Sequence, residues 1–400
     1  MLIDWLNWSA IALLSVVWVE LIRDSYHLLS HFWKPLYRLH NIHHRVFRPD
    51  LTVIDPGLYR RSQWQNDVPE HGVMLVASSL PFLLTWHWLG LAGTVYTLFF
   101  LLGAIARGLG WNYAAELTDI THRPGTFTKL PGRWFVNRPY HWRHHFDDQK
   151  AYYCSTFTIL DKLLGNSVSL QGKQVAVTGA SGTLGKALLA TLRDRGAKVT
   201  ALTSKSESVV LSDDTEVNTI TWQLGHERDI LPELEKIDIL ILNHGINVHG
   251  DRNPSAIESS YEVNAFSSWR LLEAFLSTIQ SNRDQACKEV WVNTSEAEVS
   301  PAFSPLYELS KRTLGDLVTL RRLDSPCVIR KVILGPFKSN LNPIGVMSAS
   351  WVAKQVVNLA VRDFRNIIVT INPLTYFVFP LKEFFVSVYF RLFSSHSLKN

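Results

Sequence analysis

Cysteine is scarce. The 400 residues hold three, Cys154, Cys287 and Cys327. They are too scattered for a disulfide framework, and they offer no cluster for an iron–sulfur centre. Flavin and haem motifs are missing too, so the chain carries no one-electron relay of its own. There is no internal repeat and no low-complexity tract. Basic residues form no stripe interleaved with aromatics, which argues against nucleic acid. The net charge of +5 fits contact with an anionic membrane surface instead. The first residues lack the basic region and the small-residue cleavage site of a signal peptide. Lys, Arg, Asp and Glu are absent from the whole of Val73–Ala106.

That last absence is informative. A block of about 34 apolar residues is too long for one ordinary span of about 20 residues. Leu89-Gly90-Leu91-Ala92-Gly93 near its middle offers a turn, so a helical hairpin is expected. Leu2–Ile22 is a further candidate span, interrupted by Asp4, Asn7, Ser9, Ser15 and Glu20. Arg23, Lys34, Arg38, Arg45, Arg48, Arg60 and Arg61 follow it. Basic residues mark the cytoplasmic side, and a hairpin returns the chain to that side. Everything after Ala106 is therefore expected to be cytoplasmic.

Against this background stand eight histidines in three clusters: His27 and His31; His40, His43 and His44; His141, His144 and His145. Imidazole suits iron, zinc and copper. On a helix, residues three and four apart share a face, so each cluster aims several ring nitrogens at one point. Eight exceed the four ligands of one structural zinc, which points to two metal ions.

The boxes HxxxH, HxxHH and HxxHH resemble the fatty acid hydroxylase and sterol desaturase superfamily of membrane di-iron oxygenases. The resemblance spans residues 1–165. It includes Tyr152-Tyr153-Cys154 through Asp161-Lys162-Leu163-Leu164-Gly165, which is similar to the superfamily's N-Y-G-x-x-L-x-x-W-D-x-L-F-G ending. It implies two iron ions on these eight residues and O2-dependent hydroxylation or desaturation of a lipid. Members usually carry one more histidine after the second membrane hairpin. Here that stretch reads Trp111 to Asp119 without one; His122, Glu116 or Asp119 could replace it, with His122 the favoured ninth ligand.

After Gly165 the pattern changes. Residues 166–172 read as a short polar linker and 173–365 as a second domain. Gln174–Val177 reads as a buried strand. It runs into Thr178-Gly179-Ala180-Ser181-Gly182-Thr183-Leu184-Gly185 and a helix ending near Gly196. Strand, glycine turn and helix form a dinucleotide-binding opening, with the pyrophosphate on the helix N-terminus. Lys198–Thr203, Ile237–Leu242 and Glu289–Val292 read as further strands. The expected architecture is an all-α integral membrane domain followed by an α/β Rossmann domain with a doubly wound parallel sheet.

Asn264, Ser295 and Tyr307-Glu308-Leu309-Ser310-Lys311 follow the glycine turn in the order of the short-chain dehydrogenase/reductase family, a resemblance over residues 171–345. It implies Tyr307 as proton donor or acceptor at the substrate oxygen. Lys311 would lower the tyrosine's pKa and hold the ribose, Ser295 would bond the substrate oxygen, and Asn264 would hold a relay water. Gly179, Ser181, Gly182, Thr183, Leu184, Gly185, Asn243, Gly245, Tyr307 and Lys311 would line the cofactor. His244 departs from the family pattern and is expected to fill its turn rather than touch the cofactor. An NAD binder places an acid at the end of the second strand. This chain has Thr203-Ser204-Lys205-Ser206, and hydroxyls with a lysine suit the 2′-phosphate of NADPH better than NADH.

Hydride chemistry delivers two electrons together, so the second half cannot feed irons one electron at a time. A separate ferredoxin or cytochrome is the expected donor. The two halves are expected to act in sequence on one lipid: oxidation by the first, alcohol–carbonyl interconversion by the second. Two alternatives stay open. One is production of a fatty aldehyde and its conversion to an alkane. The other is a lipid reductase on an inactive membrane anchor. The apolar residues 366–400 are expected to lie in the membrane interface or to cover the cleft.

Overall fold

The computed structural model describes residues 2–395. They form two compact units, one ending at Ser167 and one beginning at Val168.

The N-terminal unit is helical. Helix α1 (Leu2–Phe32) runs well past Ile22, because Arg23, Asp24 and the following polar residues continue it without a breaker. A short α2 (Lys34–His40) follows, with Pro35 in its first turn, where its missing N–H costs nothing. The stretch α3, Pro56–Thr85, contains a π-turn at Gln63–Asp67. It ends at Trp86 in a left-handed conformation, φ 51°. The reversal therefore falls a few residues before the expected Leu89–Gly93. Helix α4 (Ala92–Gly108) returns. Gly93 lets α4 close on α1: a Cβ there would meet Ser15 O and lie 3.0 Å from Ser15 C. Among the described residues, three helical segments are long and apolar enough to cross a membrane: Asp4–Phe32, Pro56–Thr85 and Trp88–Gly108. Helix α5 (Arg138–Phe146) is capped by the Asn137 side chain, which accepts from Tyr140 N–H.

The boundary between the units falls within residues 166–172. Ser167 to Leu170 are buried, and Val168 N–H donates to Val361 O. Burial wins because Val168 and Leu170 are apolar residues set among polar ones.

The C-terminal unit is a doubly wound sheet of eight strands. These are β1 (Gln174–Thr178), β2 (Lys198–Thr203), β3 (Val209–Val210), β4 (Glu216–Thr221), β5 (Ile239–Leu242), β6 (Glu289–Asn293), β7 (Val328–Leu334) and β8 (Asn366–Val369). Their order is 3-4-2-1-5-6-7-8, parallel except for the β3–β4 pair. The chain reverses direction beside β1, so a crevice opens at the carboxyl ends of β1 and β5, where this architecture binds ligands. Val175, Val177, Ile239 and Ile241 face one apolar core and Ala176, Leu240, Val290 and Val292 the other. Helices α6 (Thr183–Asp194) and α8 (Ala349–Val361) supply residues to the first core, and α7 (Pro305–Arg321) to the second.

Residues 366–400 are not simply a tail. Asn366–Val369 pair with β7 as the eighth strand, and Thr375–Phe393 form a helix, α9, interrupted only by Pro380. Lys382 and Glu383 face inward. Glu383 accepts from Lys331 (2.8 Å), Thr319 (3.0 Å) and Arg322 (2.9 Å).

Candidate functional sites in the two units

In the N-terminal unit nine imidazoles gather into two groups. His27, His31, His40, His44 and His144 form one; His43, His122, His141 and His145 form the other. Within each group the candidate ligand atoms lie within 4.8 Å of one another. The third box lies on one α-helix, as its spacing predicts. The second does not: α2 ends at His40, and His43–Arg45 is a short 3-10 turn. His40 and His44 still go to one group and His43 to the other, as His141 and His145 part from His144 on the regular helix α5. His122 joins the second group. Asp119 instead bonds the far nitrogen of His122, at 2.5 Å, and also accepts from Tyr59 OH. Glu116 is exposed and belongs to neither group.

The hydrogen bonds fix which nitrogens are bare. His27 Nδ1 lies 2.7 Å from Tyr153 O, and His144 Nδ1 lies 2.8 Å from Ala151 O. A carbonyl only accepts, so both Nδ1 atoms carry the proton. Both Nε2 atoms are then lone pairs, yet they stand 3.0 Å apart. His40 follows the same rule: its Nδ1 donates to Asn66 Oδ1, and its Nε2 faces His44 Nε2 at 2.9 Å. Burial holds His40, His44, His141, His144 and His145 below the usual histidine range, and His43 down to about 3. Neutral rings with lone pairs converging are what a cation between them requires.

In the second group the Nε2 atoms of His122, His141 and His145 form a triangle with sides of 2.9, 3.1 and 3.1 Å. One ion about 2.1 Å from each nitrogen, a normal metal–imidazole distance, subtends such sides at near right angles. The donor set fits two ions. Tyr153 O, Ala151 O, Asn66 and Asp119 orient the rings, and this outer layer was not read from the sequence. Asn66 and Asp119 sit at no motif spacing, and two of the partners are main-chain atoms.

In the C-terminal unit, β1 leads into the glycine turn. Gly179 has φ +63°, which disfavours a side chain. A Cβ at Gly185 would meet Gly179 O and lie 2.8 Å from Ala180 Cα, so only glycine lets α6 start this close to the strand. Gly182 is the N-cap and Thr183 the first residue of α6, with Leu184 buried beneath. The free N–H groups of this turn, including that of Ser181, lie at the crevice end of β1. Across it, Asn243 N–H donates to Thr178 Oγ1 at 2.8 Å. Gly245 leaves room for Asn264 Oδ1, 2.9 Å from where its Cβ would stand. Beyond β2, Ser204 and Lys205 are exposed. A cavity of about 240 Å³ at the end of β4 is lined by Thr221, Trp222, Gln223, His226, Asp229 and Ile230. The sequence had given no signal for it.

Ser295, Tyr307 and Lys311 meet beside that crevice. The Ser295 hydroxyl stands near enough to the Tyr307 hydroxyl to favour its ionised form. Lys311 Nζ donates to Asn293 O at 3.0 Å and lies 6.0 Å from the Tyr307 ring centre. Burial raises the Tyr307 pKa, partly offset by Ser295. Burial lowers Lys311 to about 8, against the pull of Glu298. Asn264 sits in a π-turn, Glu262–Phe266. It grips Ile246 at both backbone atoms, accepting from N–H at 2.8 Å and donating to O at 3.0 Å. It also donates to Ser310 Oγ. His244 bonds Thr178 Oγ1 and Ser267 Oγ, both at 2.8 Å, so it fills its turn.

Ser295 has φ 80° and ψ 152°, a region that only glycine adopts freely. Its backbone is held by neighbours. Glu296 is buried and accepts from Thr370 and Thr375. Glu298 accepts from Lys331 and Lys382. A strained backbone beside Tyr307, flanked by buried hydrogen bonds and ion pairs, is the third feature the sequence did not reveal.

A model of the NAD dependent epimerase/dehydratase family matches residues 175–309. A curated relative, the monoglucosyldiacylglycerol epimerase of Synechocystis sp., is 58% identical over 410 aligned residues, covering 99% of this chain and 100% of the relative. Among solved structures, a short chain dehydrogenase from Burkholderia cenocepacia in complex with NADP matches 57% of this chain and 100% of its own. Its identity is 20% and its TM-score 0.46. The aldohexose dehydrogenase of Thermoplasma acidophilum matches 50% of this chain and 93% of its own, at 17% identity and TM-score 0.41.

Proposed function

Because the chain belongs to the family of the monoglucosyldiacylglycerol epimerase, we propose that its C-terminal unit inverts one carbinol carbon of a glucosyl diacylglycerol headgroup. The observation that supports this most is Ser295, Tyr307 and Lys311 meeting at the crevice of a dinucleotide-binding sheet. The enzyme is of the NAD(P)-dependent epimerase and oxidoreductase type. A bound nicotinamide supplies a place for the carbinol hydride to go and to return from. Tyr307 accepts the hydroxyl proton as the C–H bond breaks and a ketone forms. It gives the proton back when hydride returns to the opposite face of that carbon. No net oxidation results, so the expected alcohol–carbonyl interconversion runs once in each direction. Ser295 holds the reacting oxygen. Lys311 favours the ionised tyrosine electrostatically and reaches the ribose. Asn264 fixes the loop at Ile246 and completes the proton route to solvent. Ser204 and Lys205 favour NADP over NAD. Tyr307→Phe in the purified full chain, assayed by separating the two headgroup epimers, tests this. Retained epimerisation refutes it.

For the N-terminal unit the bare, facing imidazole nitrogens support a second reading, a two-iron site on the cytoplasmic side of a membrane-spanning unit. His27, His31, His40, His44 and His144 would hold one ion, and His43, His122, His141 and His145 the other. Such a pair supplies one-electron O2 chemistry for hydroxylation or desaturation of a lipid, in keeping with the histidine-box superfamily, and needs a separate ferredoxin or cytochrome donor. The histidines' own part is to present neutral lone pairs in fixed tautomers. Elemental analysis of the detergent-purified chain decides: two irons support this reading, while zinc alone or no metal refutes it.

A further inference from the structure

Helix α9 is built inside out for water. Its polar side chains point into the protein: Glu383 is buried among Lys331, Thr319 and Arg322, and Lys382 bonds Glu298 and Asp316. Only a narrow stripe, Thr375, Phe379 and Glu383, is buried. At 3.6 residues per turn, Phe377, Leu381, Phe384, Phe385, Val388 and Leu392 fall within about 100° of the circumference, and Val378 and Tyr389 widen that face to about 140°. All are exposed, Phe377 by 76% and Leu392 by 71%. Among the residues of that face, Arg391, in the last turn, is the one charge.

We propose that this face of α9 lies in the lipid surface of the membrane, as a second attachment of the chain. The occupant is a bilayer rather than a second copy. A helix–helix seam is a narrow stripe, whereas this exposed apolar face is wider. A bilayer is also already at hand, because three described segments of the chain are long and apolar enough to cross one. Fixed by its ion pairs, the helix meets the lipid without leaving the protein. An interfacial helix of this kind sits about 5–10 Å into the headgroup boundary. This inference rests on the membrane-spanning reading of the N-terminal unit, but not on the chemistry of either site.

The test uses the full chain in vesicles of phosphatidylcholine with a minority of phosphatidylglycerol. Phe384→Cys, Leu392→Cys, Leu102→Cys and Asp213→Cys are each labelled with an environment-sensitive fluorophore. The native cysteines are all buried, so the introduced thiols react selectively. Phe384 and Leu392 labels should be quenched by doxyl-labelled lipid and should lose most of the iodide quenching that the Asp213 label shows. If those two labels respond to iodide as Asp213 does, while Leu102 in α4 is quenched by lipid, the inference is overturned and the spans stand. Failure of Leu102 as well removes the spanning reading. Protection from both quenchers, with chain-to-chain crosslinks, makes the face a self-association surface and overturns the inference too.

Discussion

Lys311 is buried with its pKa lowered from 10.5 to about 8, and that has a measurable consequence. Between those two values the unfolded chain binds a proton that the folded one does not, so this group's contribution to stability rises with pH across that window. Below pH 8 the penalty is fully present, about 3 kcal/mol as an upper figure. Lys311→Met should therefore gain most over the wild type below pH 8, and the gain should shrink as pH approaches 10.5. Denaturant titrations of the two full-length proteins at several pH values measure this; a constant difference would contradict it. Tyr307→Phe acts differently. It removes the proton carrier, so turnover should fall by about 10²–10⁴-fold. The lysine and the glycine turn still hold the nucleotide, so dinucleotide affinity measured by fluorescence titration should be unchanged.

At the level of the elements, the start of α6 is set by contact, not by propensity. Gly185→Ala would press a methyl group against Gly179 O and Ala180 Cα. It should cost about 1–3 kcal/mol and weaken dinucleotide binding measured by the same titration, whereas Gly172→Ala, with open space around its Cβ but φ +72°, should leave binding intact. Much of this unit was legible because its signals are local. Buried strand runs, a glycine turn and a Tyr–Lys pair four apart each lie within one element. The edge of the sheet was not: Asn366–Val369 is a four-residue strand that only β7 makes into one. The histidine clusters were legible as spacing, but their division into five and four was not. It depends on how rings from all three boxes and His122 meet in the fold. The partners Asn66 and Asp119 lie far from the boxes in sequence, and the strain at Ser295 is fixed by residues from 370 onward.

On the scale of the whole molecule the two candidate sites lie in separate compact units. His144→Ala removes a ring whose bare nitrogen faces both His27 and His31. It should lower metal content and the melting temperature of the full chain, since an ion bound only to the folded form stabilises it. Dinucleotide affinity should not move. Tyr307→Phe should conversely leave metal content at the wild-type level. A loss of metal in that variant would mean that the units depend on each other. The inward charges of α9 carry one more consequence, a genetic one. Lys331 is wholly buried between Glu298 and Glu383, and Glu383 also pairs with Arg322. Without Glu383 these two cations share one fewer carboxylate, and breaking a buried pair of this kind costs about 3–5 kcal/mol, a large part of a domain's usual margin. A message cut short before codon 383 would thus yield no half-competent product with a free catalytic tyrosine, but a misfolded chain open to proteolysis. A late stop codon should be as severe as an early one.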